Sequence, residues 1–83
     1  MWEPKDLLDN VSRLHTTLLG AARVRNNLKL DNSVDVVDFC RNKILTKYRS
    51  IVKRGKNWYV YIEDFYLTIN ANSYTIITAH KMP

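Results

Sequence analysis

The sequence has little cysteine, histidine or glycine, and each scarcity excludes a class of chemistry. Cys40 is the only cysteine among 83 residues, so an intramolecular disulfide and a cysteine-based zinc site are excluded. The two histidines, His15 and His80, lie far apart in the chain, and we predict no metal and no other cofactor. The two glycines, Gly20 and Gly55, are too few for a Walker loop or a dinucleotide-binding fingerprint. ATPases and dehydrogenases of those types are therefore excluded.

The sequence also lacks a long hydrophobic run. No apolar stretch approaches the roughly 18 to 20 residues that span a bilayer, and residues 1 to 4 (Met-Trp-Glu-Pro) lack the basic start and apolar segment of a secretion signal. Hydrophobic residues make up 46% of the chain and charged residues 25%, which is typical of a globular domain. We expect one domain over residues 1 to 83, located in the cytoplasm and not bound to a membrane.

Acidic residues are missing from one part of the chain. Residues 23 to 56 carry ten basic and three acidic side chains, and within them the segment from Arg41 to Lys56 carries seven basic residues and no acid. We call this segment the basic strip; its members are Arg41, Lys43, Lys47, Arg49, Lys53, Arg54 and Lys56. Such a strip neutralises a row of phosphates in nucleic-acid-binding proteins. A solvated basic surface is the alternative reading.

Helical spacing of apolar residues dominates the first half of the sequence. Leu7, Leu8, Val11 and Leu14 predict a first helix from Pro4 to His15. A second helix of about a dozen residues begins after a cap at Thr16 or Thr17, and a third lies near residues 33 to 48 after a cap at Asn32 or Ser33. In the second helix, the side chains expected to face the core are those of Leu18, Ala21, Ala22, Val24 and Leu28. The third is expected to bury Val36, Val37, Cys40 and Ile44 and to reach Tyr48.

After Arg49 the hydrophobic period changes from about 3.6 to 2, which indicates strands. A short strand at 49 to 54 and three more, separated by turn residues, predict an antiparallel meander. The fold class is therefore α+β, with three N-terminal helices packed on one face of a four-stranded antiparallel sheet. The helices are expected within residues 4 to 48 and the sheet within residues 49 to 82.

The loop lengths decide which strand residues share a face. A two-residue hairpin loop at Glu63 and Asp64 places six apolar residues on the face that receives the helices: Trp58, Val60, Ile62, Phe65, Leu67 and Ile69. The other face then carries Tyr59, Tyr61, Tyr66, Thr68 and Asn70. Such a face suits stacking on bases or contact with a protein, and exposed tyrosines are also good strand formers. An even loop at Ala71 and Asn72 turns Tyr74, Ile76, Thr78 and His80 to the core, whereas a bulged loop turns them to the polar face.

Several strings distributed along the chain carry a resemblance to a known family. They are Leu-His-Thr-Thr at 14 to 17, with Gly20, Arg23, Asn27 and Leu28; Asp-Val-Val-Asp-Phe-Cys at 35 to 40; Gly-Lys-Asn-Trp-Tyr-Val at 55 to 60; and Ser-Tyr-Thr-Ile-Ile-Thr-Ala-His-Lys at 73 to 81. In these strings the sequence resembles a family of short bacterial and phage proteins classed as a domain of unknown function. The resemblance covers nearly the whole chain and implies a single-domain boundary.

The predicted architecture is also similar to the barnase, EndoU, colicin and RelE group of small, toxin-like ribonucleases. This likeness implies metal-independent RNA cleavage, in which a base activates the ribose 2′-hydroxyl, cations stabilise the phosphate and an acid protonates the leaving oxygen. Here the predicted sheet has one histidine, His80, and no carboxylate except at the Glu63 turn. His80 is accordingly the candidate catalytic residue.

The remaining candidate residues are cations and tyrosines. Candidates for nucleic-acid binding are Arg23, Arg25, Lys53, Arg54, Lys56, Tyr59, Tyr61 and Lys81. Cys40 lies on the apolar stripe of the third helix, so we expect a core residue and not a nucleophile. His15, at the end of the first helix, is expected to have a structural, capping role.

Three functions follow from these features. The first is nucleic-acid binding, above all of RNA, with metal-independent cleavage as its strongest form. The second is a phage or mobile-element inhibitor that binds a host nucleoprotein through the basic strip. The third is a helix-turn-helix DNA-binding protein formed by residues 17 to 28 and 33 to 48, with the hairpins as a wing. The partners are thus RNA or another nucleic acid, or a host nucleic-acid-binding protein.

Overall fold

The computed structural model describes residues 3 to 83 and has an α+β fold. Its three α-helices are α1 (Pro4–Leu8), α2 (Leu18–Leu28) and α3 (Val36–Lys47). Its five strands are β1 (His15–Thr16), β2 (Tyr48–Arg54), β3 (Asn57–Ile62), β4 (Phe65–Asn70) and β5 (Thr75–Lys81). A short 3-10 helix, Val11–Arg13, lies between α1 and β1. Within this described range, no helix is long and apolar enough to cross a bilayer.

The sheet is mixed and has the strand order β1-β5-β4-β3-β2. The antiparallel meander of β2 to β5 follows the prediction, and its second hairpin places Ile62 opposite Phe65 across a two-residue loop. The prediction of four strands is wrong, because His15 and Thr16 pair in parallel with Thr75 and Ile76 of β5. A two-residue strand within a helical region has too short a pattern to show a period of 2.

One face of the sheet, which we call the helix face, is buried under the helices. It carries Trp58, Val60, Ile62, Phe65, Leu67 and Ile69, all at most 5% exposed. These side chains pack in one core with buried residues of all three helices, among them Leu7, Val24, Cys40 and Ile44. The alternation of period 2 in β3 and β4 thus produces the buried face that the sequence predicts.

The first helix is shorter than predicted. It ends at Leu8, where Asn10 Nδ2 donates a hydrogen bond of 2.7 Å to the Asp6 carbonyl, and a 3-10 turn follows. Leu7 and Leu14 are buried, as the helical spacing indicates, but Leu14 has extended backbone angles and leads into β1. The prediction of a helix through His15 is therefore wrong. The backbone N–H of His15 donates instead to the carbonyl of Tyr74, so pairing at the sheet edge outweighs local helix propensity.

Helix α2 begins at the predicted cap. Thr17 Oγ1 accepts a hydrogen bond of 3.0 Å from the Gly20 N–H. The buried stripe is Gly20, Val24 and Leu28, whereas Leu18 is 94% exposed and Ala22 is also exposed. The prediction that these two face inward is wrong, because the spacing of four residues from Gly20 decides the inner stripe. A glycine contributes little to a hydrophobic pattern, so the spacing of apolar residues does not predict this stripe.

The cap of helix α3 lies two or three residues later than the predicted caps. Asp35, and not Asn32 or Ser33, is the cap, and its carboxylate accepts a 3.0 Å hydrogen bond from the Asp38 N–H. Ser33 belongs to a turn in which its N–H donates to Asp31 Oδ1 at 2.8 Å. Aspartate competes with serine and asparagine for cap positions, and three of these residue types lie close together here. The helix then buries Val36, Cys40 and Ile44 as predicted, whereas Tyr48 begins β2.

Strand β5 changes register part-way along its length. Ile76 lies opposite Ile69, but Thr78 lies opposite Thr68, so Ile77 is an additional residue in a bulge. Residues before the bulge and after it therefore differ in the face that they present. Tyr74 and Ile76 are buried in the core, while His80 is exposed. Each predicted alternative for this strand thus applies to one half of it.

Candidate nucleic-acid interface

The second face of the sheet is less covered than the helix face, and we call it the open face. Its residues on β2 and β3 are exposed or half-buried, whereas on β4 and β5 Thr68 is buried and Thr78 Oγ1 accepts a 3.4 Å hydrogen bond from Asn27 Nδ2 of α2. Side chains of directly paired residues lie on the same side of an antiparallel sheet, so the register gives its layout. One row crosses four strands as Ser50, Tyr61, Tyr66 and His80, and we call it the aromatic row. A second row is Val52, Tyr59, Thr68 and Thr78, and a third is Arg54, Asn57 and Asn70.

The aromatic row places three rings side by side. The ring centroids of Tyr61 and Tyr66 are 5.5 Å apart, and those of Tyr66 and His80 are 5.4 Å apart. Tyr59 of the next row lies 6.4 Å from Tyr66. These distances are those of favourable aromatic pairs. The tyrosines are half-buried, because they pack against one another on the strands while one side of the cluster stays in contact with solvent.

Arg54 fixes a positive charge on this aromatic surface. Its guanidinium carbon lies 5.1 Å from the centroid of the Tyr59 ring, and its Nη2 donates a 2.8 Å hydrogen bond to the Tyr61 hydroxyl. A guanidinium over a ring is stabilised by a cation–π interaction and retains further N–H donors. Arg54 is exposed, so those donors can bind a phosphate beside the rings.

His80 lies at the β5 end of the aromatic row, exposed and next to Tyr66. It is outside the core, so a base or acid at this position has access to solvent. Its contact with the Tyr66 ring puts it within the cluster of aromatic residues. His15, by contrast, has a structural role in β1, where Nδ1 is hydrogen-bonded with the Arg13 carbonyl and Nε2 with Thr75 Oγ1, each at 3.0 Å.

Negative charge is kept off the open face. None of the side chains in its three rows is acidic. The nearest carboxylates along the strands are those of the β3–β4 turn, and each is held by a lysine: Glu63 lies 3.7 Å from Lys43, and Asp64 lies 3.5 Å from Lys81. The aromatic surface with Arg54 therefore presents a positive potential to an approaching anion.

The family of the chain is established by its sequence. The sequence matches the family described as a protein of unknown function (DUF3781) over residues 8 to 80. The chain belongs to that family. Comparison with curated proteins and with solved structures found no match. No solved structure therefore supports the likeness to the small ribonuclease group, which stays a prediction.

The DUF3781 chain brings together only some of the candidates that the sequence indicates. Arg54, Tyr59, Tyr61 and His80 share the open face. Arg23 and Arg25 belong to α2 in the helix layer, and Arg25 Nη2 donates to the Val34 carbonyl at 3.1 Å. They are thus separated from the tyrosines by the sheet.

Three lysine candidates lie around the sheet and not on the open face. Lys53 pairs with Trp58 and so belongs to the helix face, where its Nζ donates to the Gly55 carbonyl at 2.7 Å. Lys56 is exposed in the β2–β3 turn. Lys81 lies opposite Phe65 and is held near Asp64. The basic strip is therefore divided among α3, both faces of the sheet and the β2–β3 turn, since alternate residues of a strand point in opposite directions.

Several open-face residues, Tyr66 and Val52 among them, were absent from the predicted binding set. Tyr66 was assigned to the correct face from the hairpin loop, but its central position between Tyr61 and His80 depends on the register of β5. Val52 is 39% exposed beside Tyr59. The bulge at Ile77 has no distinctive residue in the sequence, so no local signal predicted the complete aromatic row.

Cys40 is a core residue, as predicted. It is fully buried in α3, and burial raises the pKa of its thiol to about 12. A thiol that stays protonated is a poor nucleophile. Within residues 3 to 83, no three histidine, cysteine, aspartate or glutamate side chains are grouped so that they could hold a metal ion.

Proposed function

We propose that the open face binds single-stranded RNA. The observation that carries the proposal is the aromatic row, in which Tyr61, Tyr66 and His80 lie side by side on three neighbouring strands. Exposed aromatic residues on a sheet stack with two or three unpaired bases in sheet-based RNA-binding domains. The row spans two interstrand spacings, about 10 Å, which is sufficient for bases of that number.

The charge on the open face supports the same proposal. Arg54 is positioned over Tyr59 and hydrogen-bonded to Tyr61, so a phosphate can be neutralised next to a stacked base. The face has no acidic side chain in its three rows, and the chain has a net charge of +5. Stacking requires unpaired bases, so a duplex is a poorer ligand for this surface than a single strand.

Cleavage of the bound RNA is the stronger form of the proposal. The exposed position of His80 beside Tyr66 supports it, since a catalytic base needs access to the ribose 2′-hydroxyl. A cytoplasmic setting fits both an RNA ligand and a single free thiol.

The inhibitor and helix-turn-helix functions rely on the basic strip or on the helices. They have less support, because Arg41 and Lys43 of that strip already pair with Asp38 and Glu63.

The test is a binding titration with a fluorescent single-stranded RNA in EDTA. Tyr66→Ala removes the centre of the aromatic row, and we expect it to weaken binding by about 5- to 150-fold, the effect of losing about 1 to 3 kcal/mol of stacking. Tyr48→Ala is the matched control, because Tyr48 is 40% exposed but lies opposite Ile62 of the helix face. Circular dichroism and thermal melts establish that both variants are folded.

Three outcomes separate the functions. Loss of binding in Tyr66→Ala but not in Tyr48→Ala supports the open face. Equal losses contradict the open face as the RNA-binding surface, and no binding by the parent protein contradicts the proposal and favours a protein partner. Gel electrophoresis of the same RNA detects cleavage. Fragments that the parent protein forms and the His80→Ala variant does not form establish a nuclease.

A further inference from the structure

A cleft adjoins the aromatic row where the row reaches β2. It has a volume of about 310 Å³ and is lined by Arg49, Ser50, Tyr61 and Met82. Ser50 and Tyr61 belong to the aromatic row. Met82 also lines the cleft, and its backbone N–H donates to the Asp64 carbonyl at 2.8 Å, which holds this residue against the β3–β4 turn. We call this site the turn cleft; its size is at the lower end for small-molecule pockets.

The lining of the turn cleft combines an apolar part with donors. Tyr61 provides an aromatic ring and Met82 a polarisable thioether, both suited to contact with a flat ring. The Ser50 hydroxyl is exposed and can donate or accept a hydrogen bond with a base edge. Tyr61 is held in place from two sides, by Tyr66 at 5.5 Å between centroids and by the hydrogen bond from Arg54.

Arg49 makes the turn cleft positive even though an acidic turn lies next to it. The Arg49 Nη1 donates at 3.3 Å to the backbone carbonyl of Glu63 and not to its carboxylate. That carboxylate faces Lys43, and Asp64 faces Lys81. The charge of Arg49 is therefore not neutralised by the turn, and its remaining N–H groups are suited to a phosphate.

We propose that the turn cleft holds one unpaired nucleotide of the bound RNA, with its base against Tyr61 and Met82 and its phosphate bound by Arg49. The proposal rests on RNA binding by the open face and adds a defined subsite at the β2 end of the aromatic row. Contact of the base face with Tyr61 and Met82 requires a base that is not stacked within a duplex, so the site favours single strands.

The experiment is a titration with uridine 5′-monophosphate, followed by NMR of protein labelled at the backbone amides and at the methionine methyl groups. Substitution Met82→Leu identifies the Met82 signal. We expect a saturable shift of that methyl and of the Ser50 amide, and about fivefold weaker binding of uridine, which lacks the phosphate. Arg49→Ala should weaken nucleotide binding about tenfold. Lys47→Ala is the control, because it removes one exposed positive charge two residues away and outside the cleft.

The same protein is titrated with single-stranded RNA, so that failures of the two proposals are distinguishable. A Met82 shift with a selective loss in Arg49→Ala supports the subsite. If the nucleotide leaves Met82 and Ser50 unshifted, or if Lys47→Ala weakens binding as much as Arg49→Ala, the subsite is wrong. In that case, RNA binding that still depends on Tyr66 leaves the open-face proposal standing. If neither the nucleotide nor the single-stranded RNA binds, both the subsite and the open-face proposal are wrong.

Discussion

The two faces of one sheet differ most clearly along β4. Leu67 and Ile69 on the helix face are completely buried, whereas Tyr66 between Phe65 and Leu67 is half-buried on the open face. Successive residues of a strand point to opposite sides, so neighbours in sequence have separate roles. The helix face is packed for stability, and the open face keeps large aromatic surfaces in contact with water.

Aromatic residues occur on both faces of the sheet, so aromatic content alone does not identify a binding surface. Trp58 is the largest fully buried side chain among residues 3 to 83, and its ring centroid lies 5.3 Å from that of Tyr74 in the core. Tyr59, the next residue, lies on the open face under Arg54. The parity of the position in the strand, together with the side that the helices cover, decides which aromatic residue is available to a ligand.

The largest effect should follow from truncating the helix face. Leu67→Ala leaves a cavity among fully buried side chains and should reduce the free energy of unfolding by about 2 to 5 kcal/mol. Urea denaturation measures it. Tyr66→Ala, at the adjacent position, should lose less stability than Leu67→Ala. If the two losses are equal, the faces do not differ in the way described.

The close approach of α2 to β5 provides the next largest effect. A methyl group on Gly20 would meet Thr16 Oγ1, and would lie 2.7 Å from the Ile76 carbonyl oxygen. Gly20→Ala should therefore cost about 1 to 3 kcal/mol in the free energy of unfolding, in spite of the better helix propensity of alanine. Asn26→Ala, at an exposed position of the same helix, is the control and should be neutral. A stabilised Gly20→Ala protein would contradict the packing of the helix layer on β5.

The salt dependence of RNA binding tests the charges of the two sides. Arg54 lies on the open face and Arg23 is exposed on α2. Loss of one phosphate contact should reduce the slope of log K against log salt by about 0.7 for single strands. We expect this reduction for Arg54→Ala and no change for Arg23→Ala. A larger reduction for Arg23→Ala would move the RNA contact to the helix layer.

The smallest effect at neutral pH concerns Cys40. Burial raises the pKa of its thiol from the ordinary 9.0 to about 12, so folding favours the neutral form. The stability that comes from burying this neutral thiol is fully present below pH 9 and is lost as the pH rises from there toward 12, by about 1.4 kcal/mol per pH unit.

The check is the difference in unfolding free energy between the parent and Cys40→Ala. It should be about 1 to 2 kcal/mol at pH 7 and should shrink above pH 9. RNA binding should be unchanged in the variant. Rapid reaction of a thiol reagent with the folded protein at pH 8 would contradict the burial of Cys40.

Much of the fold follows from residue patterns, and the failures have identifiable causes. The period of 2 in β3 and β4 and the two-residue loop at Glu63 and Asp64 predicted both faces of the central hairpin. The end of the first helix, β1 and the β5 bulge were missed, because each depends on contacts distant in sequence. The pairing of His15 with Thr75 is an example. Local propensity does not contain such contacts.

The candidate site was predictable in part for the same reason. Tyr59 and Tyr61 were found from the alternation of β3, since parity within one strand is local. Placing His80 beside Tyr66 required the register shift at Ile77. Arg23 and Lys53 were predicted to bind nucleic acid together with the tyrosines because they are basic, without reference to the face on which each lies. Net charge has no information about which side of a sheet a residue faces.

Photo-crosslinking tests the central difference between the two faces most directly. Single-stranded RNA containing 4-thiouridine is bound to the unmodified protein, irradiated and digested, and the crosslinked residues are identified by mass spectrometry. We expect crosslinks at Tyr59, Tyr61, Tyr66 or His80 on β3 to β5, and none in α2 or α3. Crosslinks concentrated in residues 18 to 47, with the open face unmodified, would contradict the account.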